Sequence, residues 1–110
     1  MKTSHRGIAL IKRFEGFRGV AYLCPAGVPT IGWGTTDGVT MEDVRNKRSV
    51  TRAEGEQLLM GHLVKYEDAV YRVLGGYCNQ NEFDACVSLA YNIGIGGFYG
   101  STVALSLIHI

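Results

Sequence analysis

Residues 13–36, RFEGFRGVAYLCPAGVPTIGWGTT, decide the fold of this chain. The segment opens on Arg13, Phe14 and Glu15, the end of an apolar helical pattern, and changes texture after Gly16 and Gly19. From Val20 to Val39, short runs of Val, Ile, Thr and aromatic residues are broken by Pro25, Gly27, Pro29, Gly32, Gly34 and Gly38. That punctuation predicts a small antiparallel sheet of two or three strands. Pro29, which lacks an N–H, suits a strand start or edge. Eight residues separate Glu15 from Cys24, and five more separate Cys24 from Thr30. An acid, a thiol and a hydroxyl are gathered around one turn of chain, a set suited to hydrolysing a glycosidic bond.

Helical patterns flank the segment. Ser4 can cap a first helix running to about Phe14, with Ile8, Ile11 and Phe14 on one side. Thr51 and Glu54 form a T-x-x-E capping box. The pattern that follows carries Leu58, Leu59, His62, Leu63, Tyr66, Ala69, Val70 and Val73, with a joint expected near Gly61 and a stop at Gly75-Gly76. A second box, Asn79 with Glu82, opens a helix bearing Phe83, Cys86, Val87, Ala90 and Tyr91, which Gly94, Gly96 and Gly97 are expected to end. Ser101 can cap one more helix, which has fewer than ten residues before Ile110 and ends in the apolar run LSLIHI. Such a face with nothing after it to cover it predicts a C-terminally truncated chain.

Composition narrows the classes. A chain of 110 residues with 46% apolar content suits one small domain with a modest core. A formal net charge of +1 gives no sign of a nucleic-acid-binding surface. Cys24, Cys78 and Cys86 are odd in number and lack C-x-x-C spacing, so neither a disulfide framework nor a zinc site is expected. The five-residue apolar run Gly7–Ile11 is too short for a signal peptide or a membrane span.

Glu15, Cys24 and Thr30, followed directly by I-G-W-G, resemble the E-x8-[D/C]-x5-T motif of the phage-type lysozymes, the endolysins or muramidases of glycoside hydrolase family 24. The resemblance spans about residues 3 to 104. SHRGIALIKRFEG is similar to the family's first helix, CPAGVPTIGWGTT to its hairpin and NQNEFDACVSLAYNIGIGGF to the helix opening its second lobe. It implies a two-lobed α+β fold in one domain: residues 1–50 as a helix and β-hairpin lobe, 51–75 as connecting helices, and 76–110 as the start of an incomplete helical lobe. It also implies cleavage of the β-1,4 bond between N-acetylmuramic acid and N-acetylglucosamine in peptidoglycan, for host cell lysis. The alternative is an inactive fragment that binds wall glycan weakly at most. Family members usually continue for about 40 further residues.

By position, the resemblance makes Glu15 the general acid, puts Cys24 in the place of an aspartate, and gives Thr30 a part in holding the attacking water. Tyr91 and Asn92 match the family's substrate-binding residues in its cleft. A monomer with no metal or cofactor is implied. Without an export segment it would wait in the host cytoplasm for a pore-forming holin to open the way to the wall.

The chemistry of the residues adds its own demands. A general acid must stay neutral at working pH, so burial should raise the pKa of Glu15, with Phe14 and Phe17 as the apolar setting. A thiol replaces a carboxylate only as thiolate, which needs a lowered pKa. Cys24 is left open between base, nucleophile and electrostatic stabiliser. Trp33 suits either a sugar ring or the lobe's own core. Thr35 stands where the family commonly has histidine, a change expected to touch stability more than chemistry. A cysteine peptidase built on Cys24 and His62 is a further alternative, disfavoured because Cys24 lies in a Pro/Gly turn rather than at a helix N-terminus.

Overall fold

A computed structural model of the chain describes residues 1–101. Its elements in order are α1 (His5–Glu15), β1 (Arg18–Leu23), β2 (Pro29–Gly32), α2 (Met41–Arg45), α3 (Arg52–Leu74), α4 (Gln80–Ile93) and α5 (Ile95–Tyr99). This is the expected α+β class, helices with one small antiparallel sheet. Two compact units divide the described residues: Lys12–His62 forms one, and Met1–Ile11 with residues 63–101 forms the other.

The Lys12–His62 unit is built on the hairpin. Strands β1 and β2 run antiparallel, with Tyr22 opposite Thr30, Leu23 opposite Pro29 and Arg18 opposite Gly32, and an irregularity between the outer and inner pairs. Pro29 begins its strand, where its missing donor costs nothing. Residues 48–50 run along the outer side of β1, Arg48 accepting from the Ala21 N–H and Val50 donating to Gly19, each at 2.8 Å. Ala21, Ile31, Trp33 and, on α3, Leu59 are the buried apolar residues of this unit's core.

α2 is a helix that the sequence reading does not contain. Its start is a capping box between Thr40 and Asp43, whose side chains each accept the other's backbone N–H. A signature restricted to Glu or Gln at the third helical position passes over it.

The second unit packs α4, α5 and the later turns of α3 around Phe83, Phe98, Val70, Val87 and Leu63, all nearly solvent-free. Burying each large side chain contributes about 1.5–3 kcal/mol before entropy is counted. The first residues of the chain are fastened into this unit by carboxylates. Thr3 donates its backbone N–H and its hydroxyl to Glu67, each at 2.7 Å. The Ser4 N–H and hydroxyl donate to Asp84, and the Gln80 amide bridges Asp84 and the Lys2 carbonyl at 2.8 Å each. Ser4 also caps α1 as expected, accepting from the Gly7 N–H.

Two expected breaks are absent. α3 continues through Gly61 without a joint, because one exposed glycine costs a helix only about 1 kcal/mol and the turns on either side are held by buried Leu59 and Leu63. Gly94, with φ of 85°, ends α4 as expected, but Gly96 and Gly97 lie inside α5 rather than terminating α4. The buried ring of Phe98 anchors that short helix despite its glycines. The capping boxes at Thr51 and Asn79 form as read. Ser101 donates its hydroxyl to the Phe98 carbonyl at 2.7 Å. The helix expected after it, and the LSLIHI tail, lie outside the described residues.

Candidate active site

Glu15 is the last residue of α1. The helix stops there because Gly16 takes φ of 69°, a left-handed conformation open to glycine, while its N–H still reaches the Lys12 carbonyl. Phe17 then leads into β1. Glu15 is accessible at the surface, yet its surroundings take enough water from the carboxyl that desolvation raises its pKa above the ordinary 4.5. That is the direction a general acid requires. Of the two phenylalanines expected to shelter it, Phe14 is 77% exposed, so it stands mostly in water.

Cys24 and Thr30 meet at the hairpin's other end. Cys24 opens the loop between the strands; its N–H donates to the Val28 carbonyl at 3.0 Å and its carbonyl accepts from Gly27 at 2.8 Å. The thiol is accessible to solvent, and its pKa lies below the ordinary 9.0, chiefly through a hydrogen bond from the Val28 backbone, with Ala26 and the Thr30 hydroxyl adding to it. Thr30, 3% exposed, donates its hydroxyl to the Val28 carbonyl at 2.8 Å. A hydroxyl carries one proton, so Thr30 holds the Val28 carbonyl while Cys24 is a thiol and can turn to the sulfur when it ionises. All three motif residues therefore belong to one unit: Glu15 leads into the first strand, Cys24 closes it and Thr30 returns along the second.

Trp33 packs into the unit's own core, 5% exposed, with the Phe17 ring at 4.7 Å. Tyr91 and Asn92 lie near the end of α4, in the other unit. Tyr91 is half-buried with its ring 5.1 Å from that of Tyr66, and Asn92 is exposed.

A histidine–carboxylate contact and a lysine–glutamate ion pair in the Lys12–His62 unit are not legible in the sequence. His62 is buried, with Nδ1 2.8 Å from a carboxylate oxygen of Asp37. The structure thus gives this histidine a carboxylate partner, where a cysteine peptidase would turn it to Cys24. Lys12 Nζ lies 2.5 Å from Glu56. Nothing local in the sequence marks either, because Asp37 sits in a loop and Glu56 lies 44 residues from Lys12.

Cys24, Cys78 and Cys86 are free thiols, and Cys86 is buried, which pushes its pKa up. Among the described residues no group of three His, Cys, Asp or Glu side chains is placed to hold a metal, and no helix is long and apolar enough to cross a membrane.

The model of the phage lysozyme family matches residues 12–109. The chain is 40% identical over 107 residues to the endolysin of Salmonella phage P22, covering 97% of this chain and 73% of that protein. Among solved structures it is similar to the muramidase domain of SpmX from Asticaccaulis excentricus, at a TM-score of 0.87 and 35% identity, covering 98% of this chain and 70% of that one. It is also similar to the endolysin from Escherichia coli O157:H7 phage FAHEc1, at a TM-score of 0.84 and 39% identity, covering 99% and 68%.

Proposed function

The chain belongs to the phage lysozyme family, glycosidases of bacterial cell-wall lysis, and from that premise we propose that it hydrolyses the β-1,4 bond between N-acetylmuramic acid and N-acetylglucosamine in peptidoglycan. The observation that carries the reading is Glu15, a carboxyl at a helix end whose pKa desolvation raises, leading into the hairpin that pairs Cys24 with Thr30. Glu15 protonates the leaving sugar oxygen. As the bond breaks, positive charge develops on the sugar ring, and an anion at Cys24 stabilises it or takes a proton from water. Thr30 orients that water through the hydroxyl it otherwise turns to Val28. Tyr91 and Asn92 contact the glycan. The reading further takes residues 1–110 as one lysozyme-like domain, acting as a monomer that a pore-forming holin admits to the wall from the host cytoplasm.

Clearing of a purified peptidoglycan suspension by this chain and by its Glu15→Gln variant tests the proposal. Clearing that vanishes in the variant supports Glu15 as the acid; equal clearing by both sinks it. Borohydride reduction of the products then identifies the sugar at each new reducing end. N-acetylmuramic acid there supports the named bond, and N-acetylglucosamine overturns it. Absence of clearing by either protein favours the alternative reading, an inactive fragment.

A further inference from the structure

Four side chains of the Lys12–His62 unit stack in a row, with a cation at each end. The Arg52 guanidinium lies 4.8 Å from the Phe17 ring, Phe17 lies 4.7 Å from the Trp33 ring at a tilt of 53°, and Lys12 Nζ lies 4.5 Å from the Trp33 ring. Glu56 holds the Lys12 ammonium from α3. Gly55 backs both rings: a β-carbon there would stand 2.9 Å from Phe17 and 3.3 Å from Trp33. Trp33 itself follows β2, three residues after Thr30.

Lys12 is three residues before Glu15 and Phe17 two residues after it, with the left-handed Gly16 between. One indole therefore grips the chain on both sides of Glu15 and belongs to the segment that carries Thr30. A helix end at a glycine is otherwise a place where chains fray. A cation–ring contact strengthens as the ring is drier, and Trp33 is nearly dry.

We propose that the row Arg52–Phe17–Trp33–Lys12 positions Glu15 against the strand of Thr30, making Phe17, Trp33 and Lys12 positioning residues for the glycosidase reaction. The inference rests on the reading of Glu15 as the acid. Proton transfer to a leaving oxygen tolerates little displacement, and an error of about 1 Å can cost about a hundredfold in rate. The row adds stiffness to a helix end otherwise held by the Gly16 N–H on the Lys12 carbonyl.

Phe17→Leu tests this, since it keeps an apolar side chain and removes the ring common to two contacts. Two quantities are read: kcat and KM on soluble peptidoglycan strands, and the titration midpoint of the Glu15 carboxyl by 13C NMR. The expected result is a loss of about tenfold or more in kcat with KM changed less than about twofold. The Glu15 midpoint falls toward the ordinary 4.5 as water reaches the carboxyl, and Phe17→Tyr, which keeps the ring, restores it. An unchanged midpoint and unchanged kcat in Phe17→Leu overturn the proposal. If that variant does not fold, Arg52→Met at an exposed position loosens the same row, and the same two quantities decide. The midpoint needs no turnover, so it judges the row even if Glu15→Gln still clears peptidoglycan and the catalytic reading fails.

Discussion

Gly7 of α1 approaches Asp84 of α4 so closely that a β-carbon at position 7 would stand 2.7 Å from the Asp84 carboxyl carbon and 2.6 Å from a methyl of Thr3. Neither neighbour can easily yield. Asp84 accepts from Ser4 and Gln80, and Thr3 is fixed on Glu67. Helix propensity favours alanine over glycine by about 1 kcal/mol, while overpacking costs about 1–3 kcal/mol. Gly7→Ala is therefore expected to lower stability by about 1–2 kcal/mol in a denaturant titration, where propensity alone predicts a gain.

Glu15 links both activity and stability to pH, and with the same sign: each falls as the carboxyl ionises. As general acid it works only while protonated, so the alkaline limb of kcat should lie above 4.5, displaced upward by desolvation. For stability, a carboxyl whose folded pKa is raised binds its proton more tightly when folded. Its contribution is fully present below the unfolded value and is lost as pH rises through the folded value. Glu15→Gln should then melt higher than the parent chain near neutrality, with the difference shrinking at pH below 4.5. Parallel melting curves at both pH values would contradict the desolvation of this carboxyl.

Cys24→Asp separates an anionic from a neutral role. If the thiolate is required, productive molecules carry a protonated Glu15 and an ionised Cys24 together, two states that opposite directions of pH favour. An aspartate ordinarily ionises at about 3.9, below the raised value of Glu15, so a pH window exists with both in the productive state, and the variant should show a higher peak kcat and an optimum at lower pH. Loss of all activity in this variant would mean that sulfur itself takes part.

Thr35, in the place where the resemblance expects histidine, is 1% exposed and its hydroxyl has no hydrogen-bond partner among the described residues, although its backbone pairs both ways with Ile31. An unsatisfied buried hydroxyl costs about 1–3 kcal/mol. Thr35→Val removes it at nearly constant shape and should raise stability by about 1 kcal/mol. A loss of stability instead would show that the hydroxyl is satisfied in solution.

The parts of the fold visible in sequence are those with local causes. Capping boxes at Thr51 and Asn79, the left-handed stops at Gly16 and Gly94 and the strand start at Pro29 each depend on a few neighbouring residues. α2 escaped because its box uses aspartate, and the joint at Gly61 was over-read because tertiary burial on either side outweighs one glycine. In the site, the spacing of Glu15, Cys24 and Thr30 was legible. The row of Arg52, Phe17, Trp33 and Lys12 was not, because its members meet across intervals of sequence that no periodicity joins. Phe14 was misjudged because adjacency in a helix end does not say which side faces water.

The clasp of the first residues onto α3 and α4 also sets an order of events at the ribosome. Ser4 and Asp84 are 80 residues apart, and Thr3 and Glu67 are 64 apart, so at about 5–20 residues per second the earliest-made segment waits several seconds for its partners. The Lys12–His62 unit is one unbroken stretch that emerges whole in the meantime. Nascent chains should therefore protect the hairpin first and dock their own beginning last.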